Sequence, residues 1–136
     1  MNHEQVSSRT SSPFLELLGI HNEEIGGGKA TISLEIVPKL TQNLGMVHGG
    51  VVASLLDTAI GTALYSNLPE DRDTVTVELK INYIRPAKGK KLLAKAEIVH
   101  QGKTLAVGRA DAYDEERKLT ATASATFYIL GQQPSG

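Results

Sequence analysis

A long apolar segment with one acidic residue in its middle constrains this chain more than any other feature. Residues 43–63, reading NLGMVHGGVVASLLDTAIGTA, contain Asp57, and no other aspartate or glutamate occurs between positions 36 and 69. The segment predicts a helix over about Gly49–Tyr65 that is apolar on every side, and such a helix has to be covered all round. A carboxylate buried there without a partner is destabilising or shifts its pKa upward, so Asp57 needs hydrogen-bond partners or a function.

Length and composition indicate a single domain without disulfides. The chain has 136 residues, of which 40% are hydrophobic and 21% charged, as is ordinary for a globular domain. A net charge of -1 argues against nucleic acid as the main partner. The absence of cysteine excludes disulfides, thiolate nucleophiles and cysteine-based zinc sites. No signal peptide is recognised and Val51–Leu64 is too short for a bilayer span, so we expect a cytoplasmic protein with no membrane partner.

The segments around the long helix predict a short helix and a set of strands. Ser12 and Pro13 are typical of a helix start, and Gly19 of its end. Alternation of apolar and polar residues predicts five strands, over Lys29–Val37, Thr74–Tyr83, Lys91–His100, Lys103–Tyr113 and Leu119–Leu130. We expect one domain over residues 13–130, between a disordered tail at 1–12 and a C-terminal tail at 131–136.

The facing of two strands can also be predicted. In the strand after the long helix, Val75 and Val77 are expected to face the same side as Leu79, and Thr76 the opposite side. In the last strand the predicted inner residues are Leu119, Ala121, Ala123, Ala125, Phe127 and Ile129, and the three alanines leave space for a helix. The pattern therefore predicts an α+β fold in which a curved antiparallel sheet of about five strands wraps around one long helix. Because one sheet leaves part of that helix bare, we expect a second copy of the chain to cover the rest.

The residues before the helix suggest chemistry for Asp57. Gly49 and Gly50 lie at the expected helix N-terminus, where free amides and the helix dipole favour an anion. Gly49 and Asp57 are eight residues apart, roughly 12 Å along a helix at about 1.5 Å per residue. One chain therefore cannot direct both groups at one carbonyl, whereas two chains related by a two-fold axis can. The alternative is that Asp57 has a structural role only, as a buried carboxylate that accepts hydrogen bonds from backbone or hydroxyl groups.

Taken together, these residues resemble a known family. Asn43, His48-Gly49-Gly50, Asp57 and the later NYIRPA at 82–87 are similar to the hotdog-fold acyl-CoA thioesterases of the PaaI-like group, which belongs to the 4-hydroxybenzoyl-CoA thioesterase-like superfamily. The resemblance covers nearly the whole chain after residue 12. It implies a sheet wrapped around a central helix, active sites at a dimer interface, and dimers that pair into a homotetramer.

The resemblance also implies roles for individual residues. Asp57 matches the carboxylate that attacks the thioester carbonyl or activates a water, and both mechanisms stay open. The Gly49 amide matches the donor that polarises the carbonyl. His48 and Asn43 match residues that orient the thioester and water, although each can instead stabilise the loop. Thr76 lies where some relatives place a catalytic serine, and an ordinary strand threonine is the alternative.

Basic residues near the NYIRPA segment are candidates for binding the phosphates of coenzyme A, which is part of the substrate and not a cofactor. These are Arg85, Lys88, Lys90 and Lys91, with Lys103 a weaker candidate. A solvated charged turn explains the cluster almost as well. We expect no metal, because the four histidines lack ligand spacing. No GxSxG motif supports a serine triad.

The sequence therefore predicts hydrolysis of an aryl- or fatty-acyl-CoA to a free acid and coenzyme A. Two other functions remain open at this stage. One is a hotdog acyl-thioester dehydratase or hydratase, whose short motifs are not found here. The other is a non-catalytic acyl-CoA sensor, in which Asp57 is structural. Tyr65, Tyr83 and aliphatic residues are candidates for lining the acyl pocket, and the acyl group itself cannot be read from the sequence.

Overall fold

The computed structural model describes residues 11–131, which form two helices and one six-stranded sheet. The predicted tails, 1–12 and 131–136, lie almost entirely outside the described residues. A single 3-10 turn, Pro38–Leu40, precedes the long helix. The elements in chain order are α1 (Pro13–Leu18), β1 (Ile20–Gly26), β2 (Lys29–Glu35), α2 (Gly49–Tyr65), β3 (Asp73–Tyr83), β4 (Lys91–Gln101), β5 (Leu105–Asp114) and β6 (Leu119–Leu130).

Both helices begin and end as the sequence predicts. In α1 the Ser12 hydroxyl accepts a hydrogen bond from the Leu15 amide, and Gly19 ends the helix in the left-handed conformation at φ 74°. The long helix α2 has the predicted bounds, with His48 as its N-cap. No helix within residues 11–131 is long and apolar enough to cross a bilayer.

The sheet is antiparallel throughout, in the order β1-β2-β4-β5-β6-β3. It has six strands where five were predicted, and the additional strand is β1. The sequence pattern hides this strand because a bulge between Asn22 and Glu24 breaks its alternation, and only Ile20 and Ile25 are large and apolar. Long helix and curved sheet together form the hotdog architecture that the resemblance implies.

The core lies between α2 and the inner face of the sheet. Leu55, Leu56 and Ile60 on the helix are completely buried. Opposite them the strands present small residues, so the helix approaches the sheet closely: a Cβ atom added at Gly108 would lie only 2.6 Å from Ile60 Cγ2. The buried alanines of β4, β5 and β6 are Ala94, Ala96, Ala106, Ala110, Ala112, Ala121, Ala123 and Ala125. The prediction that small inner residues make space for the helix is confirmed.

One stripe of α2 remains outside this core. The C-terminal half of the helix, from Ala59 to Tyr65, is fully covered by its own chain. In the N-terminal half, partly or fully exposed small and polar residues recur at spacings of three and four, which places them on one face. The members of this helix stripe are Gly50, Ala53, Ser54, Asp57 and Thr58.

The predicted facing of β3 is wrong in its first half. A bulge between Thr76 and Glu78 inserts Val77 as an extra residue opposite β6. Val77 is 60% exposed and Val75 49%, whereas Thr76 pairs with the buried Phe127 and faces the helix. A residue that interrupts the two-residue period reverses every side chain before it relative to those after it. Leu79 packs against the core as predicted.

Candidate active site

Asp57 lies on the helix stripe and, within residues 11–131, has one side-chain hydrogen-bond partner. The Thr76 hydroxyl donates a 2.8 Å hydrogen bond to Asp57 Oδ1. Burial raises the pKa of Asp57 above the ordinary value of an aspartate, and the hydrogen bond from Thr76 opposes that increase. The carboxylate is therefore partly desolvated, held in one orientation, and still accessible from the stripe. Such a group is suited to act as a nucleophile or a general base.

The Thr76 hydroxyl reaches Asp57 because of the β3 bulge. Without the extra residue, Thr76 and Leu79 would face opposite sides of the sheet, since their separation in sequence is odd. With it, both face α2. The sequence therefore indicates Thr76 as a site residue only through the family resemblance, and the outward facing predicted for it from alternation is wrong.

The N-terminus of α2 carries a free amide at Gly49. Nδ1 of His48 accepts the Gly50 N–H at 2.9 Å, and the His48 carbonyl accepts the N–H groups of Val51 at 2.9 Å and Val52 at 3.3 Å. Within residues 11–131 the Gly49 N–H has no hydrogen-bond partner. This amide is the donor that the helix dipole makes most favourable for a developing negative charge. His48 also stabilises the turn, which is the structural role that the sequence left open.

An open groove of about 360 Å³ begins at Gly49. Its apolar walls come from the loop before α2, from Val52, and from the segment after β3. Of the two tyrosines proposed for the acyl pocket, Tyr83 lies in this groove, whereas the Tyr65 hydroxyl bonds to Asp73 at the far end of α2. The lining residues are Gln42, Met46, Val47, Gly49, Val52, Tyr83, Ile84, Arg85, Pro86, Ala87 and Thr120.

Gln42 is a candidate that sequence reasoning missed. Its side-chain oxygen accepts the backbone N–H groups of Leu44 and Met46, so it organises the loop before α2, and it lines the groove beside Gly49. The neighbouring Asn43 is exposed, is not among the groove residues, and forms no side-chain hydrogen bond to any residue of the described chain. Gln42 could have been found from the sequence, because its side chain ends in the same amide group as that of Asn43 and it lies only one position earlier.

The predicted phosphate-binding residues are divided between several places. Arg85 lines the groove that begins at Gly49, and it shares an adjacent surface hollow with Lys88. That hollow also contains Asp114, Glu115 and Glu116, which offset part of the positive charge. The segment between residues 85 and 88 thus places two cations near the site.

The other three candidates are less well placed. Lys91 forms an ion pair with Glu23 on β1 at 3.5 Å, and the backbone N–H of Lys90 donates to Glu115. Lys103 lies near the start of β3, at the end of the subunit opposite to Gly49, since its carbonyl accepts from Arg72, which also contacts Leu130. Within residues 11–131 no three His, Asp or Glu side chains converge as metal ligands.

The sequence matches a known superfamily over most of the folded part. Residues 44–121 match the thioesterase superfamily. A medium/long-chain acyl-CoA thioesterase of Escherichia coli, YigI, is 27% identical over 132 residues, covering 86% of this chain and 85% of its own.

Two solved structures share the fold closely. A Bacillus halodurans protein solved with CoA, BH2602, is 32% identical with a TM-score of 0.83, and the match covers 98% of this chain and 97% of that one. A mutant of the phenylacetic acid degradation protein PaaI from Thermus thermophilus is 27% identical with a TM-score of 0.79, covering 88% of this chain and all of that one. These similarities agree with the resemblance drawn from the Asn43 to Asp57 segment.

Proposed function

Because the chain belongs to the thioesterase superfamily, we propose that it hydrolyses an acyl-CoA to a free acid and coenzyme A with Asp57 as its reactive carboxylate. The observation that carries this proposal is the half-buried Asp57, bonded to Thr76 and accessible from the helix stripe. Its oxygen either attacks the thioester carbonyl or removes a proton from the water that does. In both cases the Asp57 carboxylate has to be ionised.

The Gly49 amide stabilises the negative charge that develops in this reaction. As a thioester carbonyl becomes tetrahedral its oxygen gains negative charge, and the free Gly49 N–H at the start of α2 can donate a hydrogen bond to it. The His48 ring, fixed by its bond to Gly50, has its other nitrogen available to orient the thioester. We assign the orienting side-chain amide to Gln42 or Asn43, of which only Gln42 lines the groove.

A complete site requires two copies of the chain. The free Gly49 amide and Asp57 are separated by two turns of the same straight helix, about 12 Å, which exceeds the reach of one thioester group. The helix stripe around Asp57 consists of small residues that another subunit can approach closely. We therefore propose a homodimer in which Gly49 of one subunit faces Asp57 of the other, with pairing into a homotetramer as the further expectation.

The groove from Gly49 to Arg85 suits the coenzyme A portion of the substrate. Its apolar walls can hold the pantetheine arm, and Arg85 and Lys88 stand where the phosphates would leave it. Aryl and fatty acyl groups both remain candidates for the acyl portion.

A thiol-release assay tests the reaction. We expect Asp57→Asn to lower kcat by at least a hundredfold on any accepted acyl-CoA from a panel of aryl, short-chain and medium-chain substrates. Asp111→Asn is the matched control, because Asp111 lies on the outer face of the sheet and bonds to Thr122. Full thiol release by Asp57→Asn would refute the assigned carboxylate.

Mixing two inactive variants tests the shared site. Gly49→Pro removes the N–H and adds a ring that the first helical position tolerates well, and His48 already has the extended backbone that precedes proline. Gly49→Ala also adds a Cβ, which at 3.4 Å from the Tyr83 hydroxyl is in ordinary contact, but keeps the amide. In mixed dimers of Asp57→Asn and Gly49→Pro, one of the two sites is intact. Random reassembly should therefore restore about a quarter of wild-type activity. No recovery would show that each subunit uses its own groups.

A further inference from the structure

One peptide group at the start of α2 is held from both sides. The Tyr83 hydroxyl donates a 2.7 Å hydrogen bond to the Gly49 carbonyl oxygen. The N–H of the same peptide, which belongs to Gly50, donates to Nδ1 of His48 at 2.9 Å. The Gly49–Gly50 peptide plane is thus fixed by two side chains that come from different parts of the chain, one from the end of β3 and one from the loop before the helix.

Gly49 and Gly50 explain why this peptide needs to be held in place and why two side chains can reach it. Glycine loses more conformational freedom on folding than any other residue, and two in sequence make the first turn of a helix easy to distort. Neither has a side chain between the peptide and its two partners. A Cβ atom at Gly49 would lie 3.4 Å from the Tyr83 hydroxyl, and one at Gly50 would lie 3.1 Å from His48 Nδ1.

The orientation of the free Gly49 amide depends on this arrangement. The peptide before it, between His48 and Gly49, is anchored only through its carbonyl, which accepts from Val51 and Val52. Its N–H points away from the helix, where no partner from residues 11–131 meets it. A shift of the following Gly49–Gly50 peptide changes the backbone angles at Gly49 and with them the direction of this N–H.

We propose that Tyr83 is a positioning residue for the Gly49 amide, which it holds in the direction needed to receive the developing charge of the substrate. Tyr83 does so through the Gly49 carbonyl and not through contact with the reacting atoms. The inference rests on the proposed function, since it assigns a purpose to the orientation of that amide. Sequence alone suggested only that Tyr83 lines the acyl pocket.

The β3 bulge makes this role compatible with that of Thr76. Thr76 and Tyr83 are seven residues apart, so a regular strand would place them on opposite faces of the sheet. The extra Val77 puts both on the helix side, where Thr76 bonds to Asp57 and Tyr83 to Gly49. One strand therefore orients both predicted reactive groups of its own subunit.

Tyr83→Phe tests the proposal, with Tyr128→Phe as the control because Tyr128 is an exposed tyrosine on β6. We expect Tyr83→Phe to lower kcat roughly three- to tenfold, as loss of one hydrogen bond implies, with KM unchanged. In the Gly49→Pro background, which lacks the amide, the same substitution should have no further effect on kcat. An equal decrease of kcat in both backgrounds, or a rise in KM alone, would overturn the proposal.

A spectroscopic measurement separates this proposal from the proposed reaction. In free protein, Tyr83→Phe should shift and broaden the amide resonances of Gly49 and Gly50 in ¹H–¹⁵N spectra, whereas Tyr128→Phe should leave them in place. Unchanged resonances in Tyr83→Phe would refute the positioning role even if hydrolysis is demonstrated. If Asp57→Asn retains full activity while these resonances shift, the assigned carboxylate fails and the tyrosine contact stands.

Discussion

Thr76 donates its hydroxyl hydrogen to Asp57 Oδ1 across 2.8 Å, from a strand on which its sequence position alone would have turned it outward. The contact joins the acidic residue of the central helix to the sheet. Of the causes that act on the pKa of Asp57, burial is the larger and raises it, and this hydrogen bond lowers it. Removal of the hydroxyl and removal of the carboxylate should therefore have separate, measurable consequences.

The pH dependence of turnover should report this hydrogen bond. Activity requires ionised Asp57, so kcat/KM should fall toward acid pH with an apparent pKa above that of an ordinary aspartate. Thr76→Val removes the stabilisation of the charged form and should move that acid limb to higher pH, whereas Thr76→Ser should keep it close to wild type. Thr126→Val, on the outer face of β6, is the control. An acid limb that is the same in all four proteins would contradict the contact.

The stability of Asp57→Asn should depend on pH in a defined direction. Below about pH 3.9, the ordinary pKa of aspartate in an unfolded chain, Asp57 is protonated in both states and the variant gains little. As pH rises through the higher folded pKa, the half-buried group ionises and its contribution to stability is lost. We therefore expect the variant to unfold at a higher temperature than wild type at pH 7, with the difference shrinking toward pH 4. A Tm difference independent of pH would exclude burial of charge as its cause.

The bulge makes two single-residue deletions in β3 unequal. Deleting Val77 removes the extra residue and leaves Thr76 and Leu79 on the helix side, so the fold should survive with a modest loss of Tm. Deleting Lys80 instead turns Ile81 and Tyr83 outward and should prevent stable folding. Thermal unfolding followed by circular dichroism distinguishes the two. Equal damage from both deletions would show that Val77 is not the inserted residue.

Because helix and sheet approach closely at Gly108, we expect that adding one carbon atom there overpacks the core. Gly108→Ala places a Cβ 2.6 Å from Ile60 Cγ2 and 3.1 Å from Ile98 Cδ1, which should cost about 1–3 kcal/mol of unfolding free energy. Ile60→Leu removes the branch at Cβ that causes the first contact. The double variant should therefore lose less than the sum of the two single variants, as denaturant unfolding can measure. Gly131→Ala, with open space around its added Cβ, is the control.

Periodicity predicted the elements whose faces differ most in polarity. Local patterns predict the bounds of α2, the capping of α1 by Ser12 and the alanine face of β6. In these elements each residue is clearly buried, clearly exposed or a helix cap, so its neighbours in sequence suffice. The bulges were not predictable in this way. A bulge is defined by the partner strand, so the inverted facing of Thr76 and Val77 and the interrupted pattern of β1 cannot be read from one strand alone.

The candidate site can be read from the sequence only in part, for a similar reason. Asp57 and the Gly49 turn stand out in sequence because a lone carboxylate and paired glycines are unusual at a helix and its start. Gln42 and the Tyr83 hydroxyl do not, since their roles depend on contacts with Met46 and Gly49 that only the folded chain creates.

The alanine and glycine lining of the sheet has a consequence for substrate selection. Beneath the middle of α2 the space to the sheet is too small for an acyl chain, because even one carbon atom at Gly108 would collide with Ile60. In the proposed site the acyl group would then lie along the outside of the helix, next to the partly exposed Ala53 and Thr58. In the proposed dimer the neighbouring subunit forms the opposite wall of that space and so limits its depth. Acyl length would then be a property of quaternary packing, adjustable by interface substitutions that leave every core residue in place.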